Sequence, residues 1–142
     1  MSTFEEMLKR DHEQVSHFYD QNTGLRCIIG IHNTILGPGL GGCRIWKYNN
    51  ENEALVDVLR LSRGMTYKAA IAGLNLGGGK AVILEGNNTE KNEAFFRSFG
   101  RFVEGMGGRY ITAEDVGTSV HDMEWVRAET DYVVGISRAL GG

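Results

Sequence analysis

The sequence predicts an α/β fold, a single domain with one mixed β-sheet flanked by helices. Three observations carry this. Strand-like and helix-like patterns alternate through the second half of the chain, which implies βαβ units with parallel pairing. Two β-rich runs near the N-terminus, split by a short Gly-containing loop, add a hairpin and with it antiparallel pairing. The 142 residues, 42% apolar and 23% charged, match one globular domain, with no repeat, low-complexity tract or linker to divide them.

Each element has a local reason. Ser2-x-x-Glu5 has capping-box spacing, and Phe4, Met7 and Leu8 follow at helical intervals, so a first helix is expected over 3–11. QVSHFYD and LRCIIGIHNTIL flank Gln21-Asn22-Thr23-Gly24 and read as the hairpin. GPGLGG (37–42) breaks the pattern, and CRIWKY resumes it as an alternating strand rich in β-branched and aromatic residues. Asn49-Asn50 caps a long helix on which Ala54, Leu55, Val58, Leu59, Ser62, Met65 and Ala69 form one small or apolar stripe. A glycine-rich turn, GLNLGGGK (73–80), then leads into AVILE, a continuous apolar strand of the kind buried on both faces. Thr89 opens the next helix, with Phe95, Phe96, Phe99, Phe102 and Val103 on its inner side, and the glycines at 105–108 close it. RYITA is a strand, EDVGT the loop beyond it, SVHDMEWVRAE a helix and DYVVGI a last strand.

Composition removes several function classes. With 15 Lys+Arg against 18 Asp+Glu, the net charge of −3 argues against a nucleic-acid surface. His12, His17, His32 and His121 lack ligand spacing, so no metal site is expected. Cys27 and Cys43 form no C-x-x-C pair and read as buried free thiols of a reducing compartment. No apolar run is long enough to span a membrane, and the acidic N-terminus has no signal-peptide core, so a cytoplasmic location is expected.

Four segments carry possible chemistry. Gly37-x-Gly39-x-x-Gly42 is formally a dinucleotide fingerprint, but that motif must open a helix, and here a strand follows. A loop that brings bare backbone N–H groups to an anion and a plain turn are the other readings. GLNLGGGK lacks both the leading glycine and the trailing Ser/Thr of a P-loop, which is rejected; Lys80 is either an ordinary lysine at a strand start or a pocket lysine. Lys68 stands at i+3 from Met65 on the helix stripe, where a lysine either snorkels or faces a ligand. Asp115 follows the strand RYITA, at the end where parallel sheets place ligands, and it is free for chemistry if Thr118 or Ser119 caps the next helix in its stead. Two lysines, one carboxylate and glycine backbone at one sheet edge suit a small amino acid or keto acid. Lys68 would hold its carboxylate, Lys80 would act at the reacting carbon, and Asp115 would exchange protons with it.

GPGLGGCRIW, LRLSRGMTYKAAIAGLNLGGGKAVI and TAEDVGT, in this order and over nearly the whole chain, closely resemble the glutamate/leucine/phenylalanine/valine dehydrogenase family. Its leucine, or branched-chain, members are the nearest in these motifs. The resemblance implies reversible, NAD-dependent oxidative deamination of an L-amino acid to a 2-keto acid and ammonia, with NADP left open. It implies that residues 1–142 are the N-terminal substrate-binding and dimerisation domain of a homo-oligomer, inactive alone, with the Rossmann cofactor domain outside this chain. It also assigns roles. Lys80 and Asp115 are catalytic, Lys68 binds the substrate carboxylate, and Gly41 and Gly42 lie in the substrate loop. Met65 is on the pocket wall, and Leu40 and Ala113 shape the side-chain pocket. Glutamate-specific members carry a lysine where Leu40 stands, so an apolar substrate is expected. The competing readings are a non-catalytic oligomerisation or ligand-binding module and, within the family, a preference for phenylalanine or valine.

Overall fold

In the computed structural model, which describes residues 2–135, Ser2 accepts a hydrogen bond from the Glu5 amide at 3.0 Å and starts α1 (Thr3–Arg10). The predicted hairpin follows as β1 (Gln14–Tyr19) and β2 (Arg26–Asn33), antiparallel with Val15 facing Gly30 and Phe18 facing Cys27. Two short strands, β3 (Gly39–Leu40) and β4 (Cys43–Trp46), precede α2 (Glu51–Ile71), whose N-cap Asn50 accepts from the Glu53 amide. Then come β5 (Gly77–Leu84), α3 (Glu93–Gly105), β6 (Tyr110–Ile111) and α4 (Val120–Arg127).

The strands form one mixed sheet in the order β1-β2-β5-β3-β6, with β4 also on β5. β5 is its spine, antiparallel to β2 on one side and parallel to β3 and then β4 on the other. Gly39 faces Gly77 and Cys43 faces Ala81, so β3 and β4 keep one register along β5 and act as a single strand interrupted at Gly41-Gly42.

The alternation of side chains along β5 separates two cores. Val82 and Leu84 point with Ile28 onto Ala54, Leu55, Val58 and Leu59 of α2. Ala81 and Ile83 point with Cys27, Ile29 and Ile31 onto the other face, where Phe95, Phe96, Phe99 and Val103 of α3 and Met123 and Val126 of α4 close the larger cluster. The stripe read from the α2 sequence is the buried one up to Ser62 and again at Ala69, while Met65 is half-buried.

Several boundaries differ from expectation, each for a tertiary reason. The glycines before Lys80 are not a turn, because they are strand residues, Gly77 and Gly78 paired with β3 and Gly78 and Gly79 with β2. GPGLGG contains β3, since its Gly39-Leu40 finds partners in β5 and β6 that local sequence does not reveal. Asn92, not Thr89, caps α3; the Thr89 hydroxyl instead accepts from the Gly86 amide at 2.8 Å. CRIWKY pairs only as far as Trp46, and RYITA only over Tyr110–Ile111, with single bridges from Cys43 to Glu114 and from Thr112 to Val133. Among the described residues that last bridge is all that is formed of the strand expected at DYVVGI; its Ile136 and the segment beyond lie outside them.

Candidate active site

Lys80 is the fourth residue of β5, on the α2 face of the sheet, and only 6% exposed. A buried ammonium needs a partner. It has one: Nζ lies 2.8 Å from Oδ2 of Asp115, which arrives on the loop after β6. Room for the lysine stem comes from glycines on the same face. Gly78, two residues earlier, packs beneath Ser62 and Thr66 of α2, and Gly30, the cross-strand neighbour of Lys80, sits against Val58 and Ser62.

Gly41 and Gly42 are the wedge that brings the two charged groups together. A Cβ on Gly41 would be driven into the Gly79 carbonyl, and one on Gly42 would meet the Glu114 carbonyl at 2.6 Å and the Asp115 Cβ at 2.7 Å. The backbone is bare here so that β5 and the 113–115 segment can both close on it. This replaces the anion-cradle reading of the loop for most of its donors. The amides of Gly39, Gly41 and Cys43 are already spent on the carbonyls of Arg109, Ile111 and Ala113. The dinucleotide reading falls as well, because the loop runs into strands. Buried Tyr110 donates its hydroxyl to the Gly41 carbonyl at 2.6 Å and fixes the wedge from the α3 side.

Asp115 is free of helix-capping duty. Ser119 caps α4, with Asp122 completing a reciprocal capping box, and the Thr118 hydroxyl takes the Asp115 amide at 2.8 Å. Burial works against charge on the Asp115 carboxyl, but the Lys80 hydrogen bond and charge, with the Arg44 guanidinium, outweigh it and hold it below the usual carboxylate range. Arg44, which the sequence reading missed, reaches Asp115 Oδ2 with Nε at 3.3 Å and Asp57 Oδ2 with NH1 at 3.4 Å. Its position between two cysteine- and isoleucine-lined strand positions was the only signal in the sequence: a charge inside an apolar alternation.

The remaining predicted residues take no part in this ion pair. Leu40 is half-buried in β3 between β5 and β6, Ala113 is half-buried just before Asp115, and Met65 is half-buried on α2. Lys68, one half-turn beyond Thr66, is exposed and takes part in none of the bonds around Asp115. Cys43 and Cys27 are buried free thiols, as expected, and burial pushes both thiols up and away from reactivity. A groove of about 630 Å³ opens on the outer side of Arg44, between Trp46, Tyr48, Val56 and Asp57. Among the described residues no group of three His, Cys, Asp or Glu could hold a metal, and no helix is long and apolar enough to cross a membrane.

Residues 12–132 match the family model described as Glu/Leu/Phe/Val dehydrogenase, dimerisation domain. The chain belongs to that family. It is 60% identical to a leucine dehydrogenase of Geobacillus stearothermophilus over 141 residues, 99% of this chain and 38% of that enzyme. It is 52% identical to a phenylalanine dehydrogenase of Bacillus thermotolerans over 98% of this chain and 36% of that enzyme. Among solved structures, L-tryptophan dehydrogenase from Nostoc punctiforme superposes with a TM-score of 0.87 at 48% identity, covering 92% of this chain and 38% of that one. The Glu/Leu/Phe/Val dehydrogenase domain described here thus spans somewhat over a third of the length of the relatives it matches. The mixed sheet with its wedge of glycines is a member of that family's fold.

Proposed function

We propose that this chain is the substrate-binding domain of a dehydrogenase that converts a branched-chain L-amino acid, L-leucine above all, reversibly to its 2-keto acid and ammonia. The observation that carries this reading is the buried Lys80–Asp115 contact of 2.8 Å, closed in by the bare backbone of Gly41 and Gly42. Among the described residues no glycine-rich turn opens a helix, so these residues do not fit a dinucleotide. The reading therefore puts NAD, or NADP, on a part of the protein outside them, and acceptance of the hydride belongs to that part.

What these residues do is bind and move protons. Lys68, exposed at the end of α2, takes the substrate carboxylate by charge-assisted hydrogen bonds. Lys80 releases a proton through Asp115 and then takes one from the water that adds to the iminium carbon of the substrate. Asp115 passes that proton from Lys80 to the nitrogen, and as the C–N bond breaks and ammonia leaves, the freed Lys80 takes the hydroxyl proton of the carbinolamine to give the 2-keto acid. Gly41 and Gly42 line the approach, Met65 the wall, and Leu40 and Ala113 meet an aliphatic side chain. Self-association is proposed on the family's dimerisation role and on α1, which buries none of its side chains and exposes Phe4 and Leu8.

Initial rates of the full-length protein with NAD and L-leucine, L-valine, L-isoleucine, L-phenylalanine or L-glutamate test the proposal. Leucine is expected to exceed glutamate in kcat/KM by at least ~100-fold, because an unpaired second carboxylate in an apolar pocket costs several kcal/mol. A higher value for glutamate overturns the assignment. The identities of about half to relatives acting on phenylalanine and tryptophan favour an aromatic substrate as the second reading, which a phenylalanine optimum would select. No turnover of any amino acid would leave a non-catalytic module.

A further inference from the structure

Arg44 stands on β4 one strand away from Lys80, on the same face of the sheet, with its side chain 22% exposed. Its two ends are held differently. At the inner end, Nε meets Asp115 Oδ2, the same oxygen that takes Lys80 Nζ. At the outer end, NH1 meets Asp57 of α2, whose carboxylate is itself held by the Tyr48 hydroxyl at 2.5 Å on Oδ2 and by Arg60 at 2.8 Å on Oδ1. Burial and the Asp57 bond push the Tyr48 phenol far up, so it remains a donor and Asp57 remains a fixed acceptor.

The consequence is directional. Both cations make their closest approach to Oδ2 of Asp115, and the Val116 amide also bonds this carboxylate. A carboxylate held at once by Lys80, Arg44 and the Val116 amide cannot rotate freely.

We propose that Arg44 is a positioning residue for this centre: it clamps Asp115 Oδ2 against Lys80 and so fixes the angle at which the carboxylate meets the amino or imino nitrogen of the substrate. Asp57 and Tyr48 are the anchor that stops Arg44 from turning out into the groove. The inference rests on the amino acid dehydrogenase reading for the identity of the nitrogen, whereas the clamp itself is a property of this chain. The charged and titratable groups coupled to Asp115 are Lys80 from β5, Arg44 and the buried Cys43 from β4, the buried Tyr110 from β6, and Asp57 of α2 through Arg44.

Two measurements test it with Arg44→Met and Arg44→Lys. The first is the carboxyl carbon titration of Asp115 by NMR in the 142-residue chain. Arg44→Met is expected to raise its midpoint by about one pH unit, the usual effect of removing one close opposite charge, and Arg44→Lys by less. The second is steady-state kinetics of the full-length protein with L-leucine. Arg44→Met is expected to lower kcat about tenfold while KM stays within about twofold, and Arg44→Lys to recover part of the loss. An unmoved Asp115 titration, a loss confined to KM, or an Arg44→Lys variant no better than Arg44→Met would overturn the assignment. Should Arg44→Met not fold, the smaller shift in Arg44→Lys decides. If the wild-type full-length protein oxidises no amino acid, the functional reading fails, and the titration alone still reads the clamp.

Discussion

At the scale of single residues, the site is defined as much by missing side chains as by present ones. Gly79 lacks the Cβ that would meet the Tyr110 ring at 2.8 Å and the Gly39 backbone at 3.1 Å. Neither neighbour is free to yield, since Tyr110 is fully buried and bonded to Gly41. Gly79→Ala is therefore expected to destabilise the domain by about 3 kcal/mol, the upper range for overpacking, read as a lower urea midpoint with an unchanged slope. Gly24→Ala is the control for generic glycine loss, because its Cβ would meet nothing within 4 Å, although its φ of +73° adds some strain of its own. The two lysines should separate by kinetics in the full-length protein. Lys68→Ala should raise KM with a smaller fall in kcat. Lys80→Ala should lower kcat by about 10²–10⁴-fold, the worth of positioned acid–base catalysis. Near-normal kcat in Lys80→Ala would exchange the roles.

At the scale of elements, α1 is attached by its C-terminal end. His12, just past it, donates Nε2–H to the Leu59 carbonyl of α2 at 2.7 Å, and its Nδ1 is buried with no partner. Next to it, His32 bonds the Arg10 carbonyl through Nε2 at 2.7 Å and the Thr66 hydroxyl through Nδ1 at 2.8 Å, with the two rings edge to face at 4.7 Å. Burial, opposed by the Leu59 carbonyl and reinforced by His32 and Arg63, lowers the pKa of His12 below its ordinary 6.5. The unfolded chain therefore takes up a proton near pH 6.5 that the folded chain refuses, and the stability this neutral ring confers is lost as pH falls from there through the lowered value. Thermal melts of the wild type should show this fall, and His12→Gln should flatten it; equal slopes in both proteins would remove His12 as the cause. The same scale shows what could be read from the sequence. The helices and the hairpin announce themselves by periodicity and capping, whereas Lys80 and Asp115 stand out by their place before and after strands and take their proposed roles from the family resemblance. β3, the early start of β5 and the shortness of β6 do not. Glycine carries no side-chain pattern, and those residues are strands only because distant backbone pairs with them. For Arg44 the sequence shows only a charge inside an apolar alternation, because its partners Asp57 and Asp115 come from two other elements.

At the scale of the whole molecule, one face of the sheet carries the charged cluster under α2, and the other is filled by the phenylalanines of α3. The proposed reading gives the described residues the groups that meet an amino acid and leaves the dinucleotide to a part of the protein outside them. Titration calorimetry of the 142-residue chain with NADH is expected to show no binding; micromolar affinity would revive GPGLGG as a nucleotide loop and overturn the division of labour proposed above.

The glycine seam also bears on the order in which the domain assembles. β1 and β2 are joined by a tight local loop, whereas β3 meets β5 only across the whole of α2, and β6 meets β3 across α2, β5 and α3. Such non-local pairings carry a larger closure entropy, and glycines lose more backbone freedom than any other residue when they order. The seam should therefore zip last during folding and loosen first in the native state. Amide hydrogen exchange should show it. The Gly39, Gly41 and Cys43 amides, bonded across the seam to Arg109, Ile111 and Ala113, should exchange at least tenfold faster than those of Ile28 and Ile29 in β2. Uniform protection would mean that the sheet opens as one piece. Local breathing then falls on the stretch that carries Lys80 and Asp115, while the hairpin and the phenylalanine layer stay shut.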